Sequence, residues 1–210
     1  MVFFLHSSGA PNFRTVQVFD RLLHEKTVAN LIFNCTSREV DNLGRFLNEV
    51  IKELTSWHAD KAIYERKAWG VKKDLPGFAC NPRLTADGKP EQLLLFEDFR
   101  RLFFKWHKNL FNALKTCLNN GEYMHIKNAV VLLKCIHRSY PAVNFMGKGL
   151  TEILSDIVKA EKGVRNDLFV AANSLKGMVG AREKEWVMPQ AFHFVSWTAK
   201  SGVRNSGTDV

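Results

Sequence analysis

Residues 93–118 read LLLFEDFRRLFFKWHKNLFNALKTCL, and this stretch decides the fold class. At 100° per residue, Leu95, Phe99, Leu102, Phe103, Trp106, Leu110, Leu114 and Cys117 gather on one apolar side of a helix. Phe104 and Phe111 fall off that side and call for a second neighbour. Asn119-Asn120-Gly121 ends the helix, with Gly121 suited to the left-handed position past the cap. A long helix that is apolar on two sides belongs inside a packed helical array.

Upstream, residues 37–57 repeat the pattern. Val40, Leu43, Leu47, Val50, Leu54 and Trp57 recur at threes and fours, while Phe46 and Ile51 widen the stripe. Thr36 with Glu39 offers a capping box at its start. Earlier still, Pro11-Asn12 opens a helix carrying Val16, Phe19, Leu22 and Leu23, predicted to bend near Thr27 and to end around Asn34. Between the two long helices, Gly70, Pro76-Gly77, Asn81-Pro82, Asp87-Gly88 and Pro90 punctuate residues 70–92, which read as a long connecting loop. Loops of that length inside a compact domain tend to be functional or partly disordered. Downstream, helices are expected at 122–139, stopped by Pro141, at 146–161, closed by Gly163, and at 166–179.

The fold class that follows is all-α: stacked helical hairpins in an α-solenoid of the HEAT or armadillo sort. Residues 1–197 form a single helical domain, and the small, polar residues 198–210 are expected to be a mobile tail. Met1 runs straight into Val-Phe-Phe-Leu without a helix start signal, which reads as the interior of a larger chain. Trp57-His58 and Trp106-His107 are alike, though two dipeptides make no period. Both indoles continue apolar stripes, so they are expected in the core with the adjacent histidines pointing elsewhere.

Composition narrows the function. Sixteen Phe and five Trp in 210 residues supply ample core. No apolar run approaches the roughly 18 residues that cross a bilayer, so no membrane partner is expected. The N-terminus also lacks the pattern of a secretory leader. Cys35, Cys80, Cys117 and Cys135 form no CxxC pair and read as buried free thiols in a reducing compartment. No two histidines stand three or four residues apart, as metal ligands on one helix face would. Phosphate-binding, HExxH and G-x-S-x-G motifs are missing. A dyad of Cys117 with His107 or His125 can be drawn, but Cys117 lies on the apolar side, where a thiol is inert packing. The reading is of no enzyme, no metal and no cofactor.

Charge is unevenly placed. The net charge is +9, and residues 71–140 hold twelve Lys plus Arg against six Asp plus Glu, whereas the first and last seventy residues are nearly balanced. On the long helix Arg101, Lys105, Lys108 and Lys115 fall opposite the core; on the next, Lys127, Lys134 and Arg138 line up at i, i+7 and i+11. Adjacent helices carrying these rows are expected to share a basic surface that neutralises phosphates of RNA or single-stranded DNA without reading sequence. A solvated helix face is often Lys-rich for no such reason.

A series of segments in fixed order carries a resemblance. They are Ala10-Pro11-Asn12-Phe13, Phe19-Asp20-Arg21, Gly44-Arg45-Phe46-Leu47, Trp57-His58-Ala59-Asp60 with Tyr64-Glu65, and Pro76-Gly77-Phe78. After them come Phe96-Glu97-Asp98-Phe99-Arg100, Lys105-Trp106-His107-Lys108, residues 121–128 (GEYMHIKN), Tyr140-Pro141 and residues 182–189 (REKEWVMP). Over about Gly9 to Phe194 the chain resembles the C-terminal helical region of the large scaffold subunits, subunit 2, of the THO complex. The resemblance implies a nuclear, non-catalytic scaffold within the TREX assembly, which couples transcription to mRNA export. Its implied partners are the other THO subunits and, through the complex, a DEAD-box RNA-dependent ATPase. It also implies nucleic-acid binding near this end of the subunit, associated with a basic tail past the folded part. Past Phe194 this chain has only Lys200 and Arg204 as basic residues. An autonomous RNA- or single-stranded-DNA-binding module is the competing reading.

Overall fold

A computed structural model describes residues 1–192; the expected mobile tail, 198–210, lies outside them. The regular elements are α1 (Val2–Ser7), α2 (Thr15–Leu22), α3 (Glu25–Asn34), α4 (Ser37–Ala59), α5 (Lys61–Tyr64), α6 (Phe96–Leu118), α7 (Tyr123–Ile136), α8 (Asn144–Glu161), α9 (Asn166–Gly180) and α10 (Pro189–Phe192). A π-turn follows α5 at Glu65–Trp69, and single 3-10 turns occupy Pro76–Phe78 and Glu183–Glu185. Strand-like pairing among the described residues is limited to isolated bridges, Ala79 with Leu93, Leu84 with Pro90 and Val143 with Val187. The chain is all-α.

Local chemistry sets the boundaries. The Thr36 hydroxyl accepts from the Glu39 N–H while the Glu39 carboxylate accepts from the Thr36 N–H, so α4 opens on the expected capping box. It closes at Asp60, whose carboxylate accepts from the N–H groups of Ala62 and Ile63 and so opens α5. The helix predicted to bend near Thr27 is two helices, parted at Leu23 and His24. Pro11-Asn12 makes a turn, with Asn12 at φ 62, and the helix starts at Thr15. α6 begins at Phe96 because Leu93 and Leu94 are used elsewhere. The Leu94 N–H donates to Phe78 O, and Leu94 O accepts from Tyr64 Oη and Trp69 Nε1. Leu95, expected on the apolar side, is the N-cap residue and 60% exposed.

Two rows of helix contacts organise the body. α3 packs on α6 and α6 on α8; α4 packs on α7 and α7 on α9; α6 with α7, and α8 with α9, are neighbours in sequence as well as in space. Only Cys35 and Thr36 join α3 to α4. Buried Asn128 of α7 serves that corner. Its Nδ2 donates to Ile32 O (3.0 Å) and Cys35 O (2.8 Å), and its Oδ1 accepts from Ser37 Oγ. The orphan carbonyls at the end of α3 are thus satisfied by a side chain from the other row. Gly44 lets α4 approach α7 closely, since a Cβ there would lie 2.7 Å from Cys135 Cβ. Phe104 and Phe111 do meet second neighbours, the rings of Phe192 and Phe145.

Trp57 and Trp106 are each 1% exposed, as the periodicity required. Trp57 contacts the rings of Phe3, Phe78 and Phe99, and Tyr64 stacks on Phe99 at 4.5 Å. His107 departs from expectation. It does not point away from the core but is buried beside Phe103, Tyr140 and Phe192, where Nδ1–H donates to Phe103 O and Nε2 has no partner. Burial pushes its pKa down to about 4. His58 is half-buried and stacks on Phe192, and its Nε2–H donates to Phe192 O. Of the thiols, Cys117 is buried, while Cys80 is exposed rather than buried, and Cys35 and Cys135 are intermediate.

Two consequences are measurable. Asn128→Ala strands the Ile32 and Cys35 carbonyls and should destabilise the chain by about 2–3 kcal/mol in urea unfolding. Neutral, buried His107 binds a proton more readily when unfolded, where its pKa is about 6.5. Its stability contribution is therefore complete above that value and is lost as pH falls towards about 4. His107→Gln should flatten this acid limb, which a single buried histidine steepens by at most about 1.4 kcal/mol per pH unit.

Candidate nucleic-acid interface

All four predicted cations of α6 stand on its exposed side. Arg101, Lys108 and Lys115 follow one another at i, i+7 and i+14, about 10.5 Å per step at the rise of an α-helix, and so form a straight ridge opposite the core. Lys105 lies off this line. Its Nζ is 2.8 Å from Asp20 Oδ1 on α2, and the same oxygen accepts from Trp106 Nε1. Burial opposes ionisation of Asp20, but the bonds from Lys105 and Trp106 and the charges of Lys105 and His24 outweigh it, holding the carboxyl below the ordinary range. Arg101 pairs with Asp98 one turn back, at 3.4 Å. Lys108 and Lys115 have no carboxylate within ion-pair distance among the described residues, although Glu25 of α3 shares a shallow surface hollow with Lys115.

The α7 row is less uniform. Lys127 is half-buried and committed: its Nζ donates to Tyr123 Oη at 3.0 Å and rests over that ring, while Tyr123 Oη donates to Asp167 of α9. The hydrogen bond to Tyr123 keeps the lysine charged by raising its pKa. The helix expected to run to residue 139 ends at Ile136, so Lys134 is exposed on α7 and Arg138 is exposed in the turn past it; neither has a carboxylate partner among the described residues. Burial, together with Asp41, pushes the Cys135 thiol up to about 11, against the smaller opposing charges of Arg45, which is paired with Asp41, and Lys134.

The two rows therefore keep different company. The α6 cations border α2 and α3 through Asp20 and Glu25, and the α7 cations border α9 and α4 through Asp167 and the Asp41–Arg45 pair. No hydrogen bond or ion pair between described residues links one row to the other. Of the seven, Lys108, Lys115, Lys134 and Arg138 are fully at liberty to meet an anion. Sequence periodicity placed the cations on helix faces, but it carries no information on which of them a distant carboxylate claims. Arg45 was missed because it stands on a helix read for its apolar side. No three His, Cys, Asp or Glu residues gather in a metal-holding arrangement among the described residues. Cys117 sits in the core, where burial pushes its thiol up to about 12, so it packs and does not attack.

The Lys105–Asp20 pair yields a testable pH effect. A carboxyl held below its ordinary value of about 4 contributes stability that is complete above that pH and is lost as pH falls through the depressed native value. Asp20→Asn should remove this part of the acid sensitivity. Both partners are about half exposed, so the loss at neutral pH should stay within about 1 kcal/mol in denaturant titrations.

Comparison with known proteins bears on the family. The Tho2 family, described as transcription factor/nuclear export subunit protein 2, matches residues 1–179. THO complex subunit 2 of Homo sapiens is 32% identical over 191 residues, covering 90% of this chain. The Arabidopsis thaliana protein of the same name is 34% identical over 188 residues, again 90% of this chain. This chain spans 12% and 10% of the lengths of those two relatives. No solved structure matches. A family match over most of the chain and this coverage together show that the chain belongs to the Tho2 family of THO complex subunit 2 proteins.

Proposed function

We propose that this chain is a non-catalytic scaffold segment of the THO complex, working within TREX in transcription-coupled nuclear mRNA export. Family membership carries this reading, because the relatives are named as subunits of that complex and the family is described by nuclear export. Its partners are the other THO subunits and, through the complex, the DEAD-box RNA-dependent ATPase, to which the ATP chemistry belongs. The two rows of helix contacts support reading the chain as one stretch of a stack of hairpins, an α-solenoid. Such a stack leaves helix faces free along its length for neighbouring subunits.

Weak, sequence-independent binding of RNA or single-stranded DNA accompanies the scaffold role. The unpaired cations Lys108 and Lys115 on α6, Lys134 on α7 and Arg138 in the turn past it support it; Arg101, Lys105 and Lys127 add positive potential while held by carboxylates or by Tyr123. No base-reading element accompanies them, so affinity comes from phosphate neutralisation and falls steeply with salt. An autonomous nucleic-acid-binding module is the alternative. Its support is the same four residues, and it differs by requiring strong binding from this chain alone.

Two double variants separate the rows. Lys108→Glu with Lys115→Glu, and Lys134→Glu with Arg138→Glu, leave every observed ion pair in place. In low-salt mobility-shift titrations with mixed-sequence single-stranded RNA, each row that contacts phosphate should lower the salt slope by roughly 1.4 for two lost contacts. If both double variants bind like the original chain, the basic rows are not the interface. Binding that stays tight at physiological salt would favour the autonomous module.

A further inference from the structure

The loop at 70–92, expected to be functional or disordered, is pinned by hydrogen bonds across itself and to the residues that flank it. Leu75 N–H donates to Trp69 O, Cys80 N–H to Gln92 O, Glu91 N–H to Arg83 O and Leu94 N–H to Phe78 O. At Gly77 the loop runs so close to α1 and α2 that an added Cβ would overlap His6 Nδ1 and Thr15 Oγ1. Those two atoms are hydrogen-bonded to each other, and His6 Nε2–H donates to Lys67 O. The loop is thus a built wall. Together with the turn at residues 9–14 it encloses a cleft of about 500 Å³, a size typical of ligand sites.

The cleft joins two unlike features. Its walls are rich in proline, with Pro11, Pro76, Pro82 and Pro90, and Leu84 stands 60% exposed at them. Arg14 also lines it. Nη2 of Arg14 donates to Ala79 O at 2.7 Å, but Nε is buried without a partner and no carboxylate pairs with the guanidinium among the described residues. The bond to Ala79 fixes the planar fork in place, and the unclaimed charge makes it a ready donor site for a carboxylate. Asp74 lines the same cleft. Its charge repels a second acid, which disfavours a nucleic-acid strand with a phosphate on every residue.

We propose that this cleft is a docking site for a short peptide segment of a protein partner, one that presents a single Asp or Glu to Arg14 and apolar side chains to the proline walls. The site is independent of the basic rows on α6 and α7 and does not rest on their binding RNA.

The test applies the purified chain to an array of random octapeptides made in matched pairs that differ only by a central Glu or Gln. The Glu member of bound pairs should be preferred by about tenfold or more, the worth of a charge-assisted hydrogen bond. Arg14→Lys, which keeps a donor near Ala79 but loses the fork, should reduce that preference. Leu84→Asp, on an exposed side chain that folding does not need, should abolish capture while leaving the melting temperature unchanged. No captured pairs, equal capture of Glu and Gln, or undiminished capture by Leu84→Asp would each overturn the proposal. Displacement of bound peptides by a single-stranded oligonucleotide would assign the cleft to nucleic acid and overturn it as well.

Discussion

The aromatic cluster around Trp57 is the constraint on which the rest depends. Its members come from α1 (Phe3), α2 (Phe19), α4 (Trp57), α5 (Tyr64), the 3-10 turn (Phe78) and α6 (Phe99), so one set of rings ties together segments nearly a hundred residues apart in the chain. Each ring buries a large apolar area and meets its neighbours in edge or offset geometry, which adds orientation to the burial. The polar handles are satisfied at the cluster's margin, Trp57 Nε1 on Glu53 and Tyr64 Oη on Leu94 O. Because Tyr64 precedes the 70–92 loop and Phe78 lies within it, the cluster that holds α4 to α6 also holds the loop down. Removing any of these rings loosens both.

Most of this was legible where a short-range rule governed it. The capping box at Thr36, the inward indoles and the second-neighbour contacts of Phe104 and Phe111 each follow from helix periodicity or from a local pattern of donors and acceptors. The failures share a cause as well. Leu93 and Leu94 read as helix, but Leu93 bridges to Ala79 while Phe78, Tyr64 and Trp69 claim the backbone groups of Leu94, partners that lie well upstream in the chain. His107 was read as pointing away because it follows a core residue. A helix packed on two sides has no polar side left at that angle, so the ring became core and its charge was suppressed.

Charge was the least legible layer. A helical wheel assigns Lys105 and Lys108 to the same face, yet one is bound to Asp20 from a helix about eighty residues away and the other is unclaimed. Lys127 shares α7 with Lys134 at i, i+7, while Arg138 falls past the helix end; Lys127 is drawn into the Tyr123–Asp167 link that joins α7 to α9. Nothing in periodicity distinguishes a cation that staples two helices from one that waits for a phosphate. The same blindness hid the Arg14 cleft, whose walls are assembled from residues more than sixty positions apart.

The division of labour among the cations fits a scaffold. A helical stack of this kind can spend paired charges, such as Lys105–Asp20 and Arg165–Glu161, on fixing one helix against the next or on holding a helix end. An exposed pair such as Lys105–Asp20 contributes little to stability by itself, so its use lies in setting register more than in strength. Charges left unpaired then cost nothing in folding and remain for whatever the surface meets. The two populations are separable by mutation for that reason: the paired ones answer to denaturant and pH, and the unpaired ones to salt.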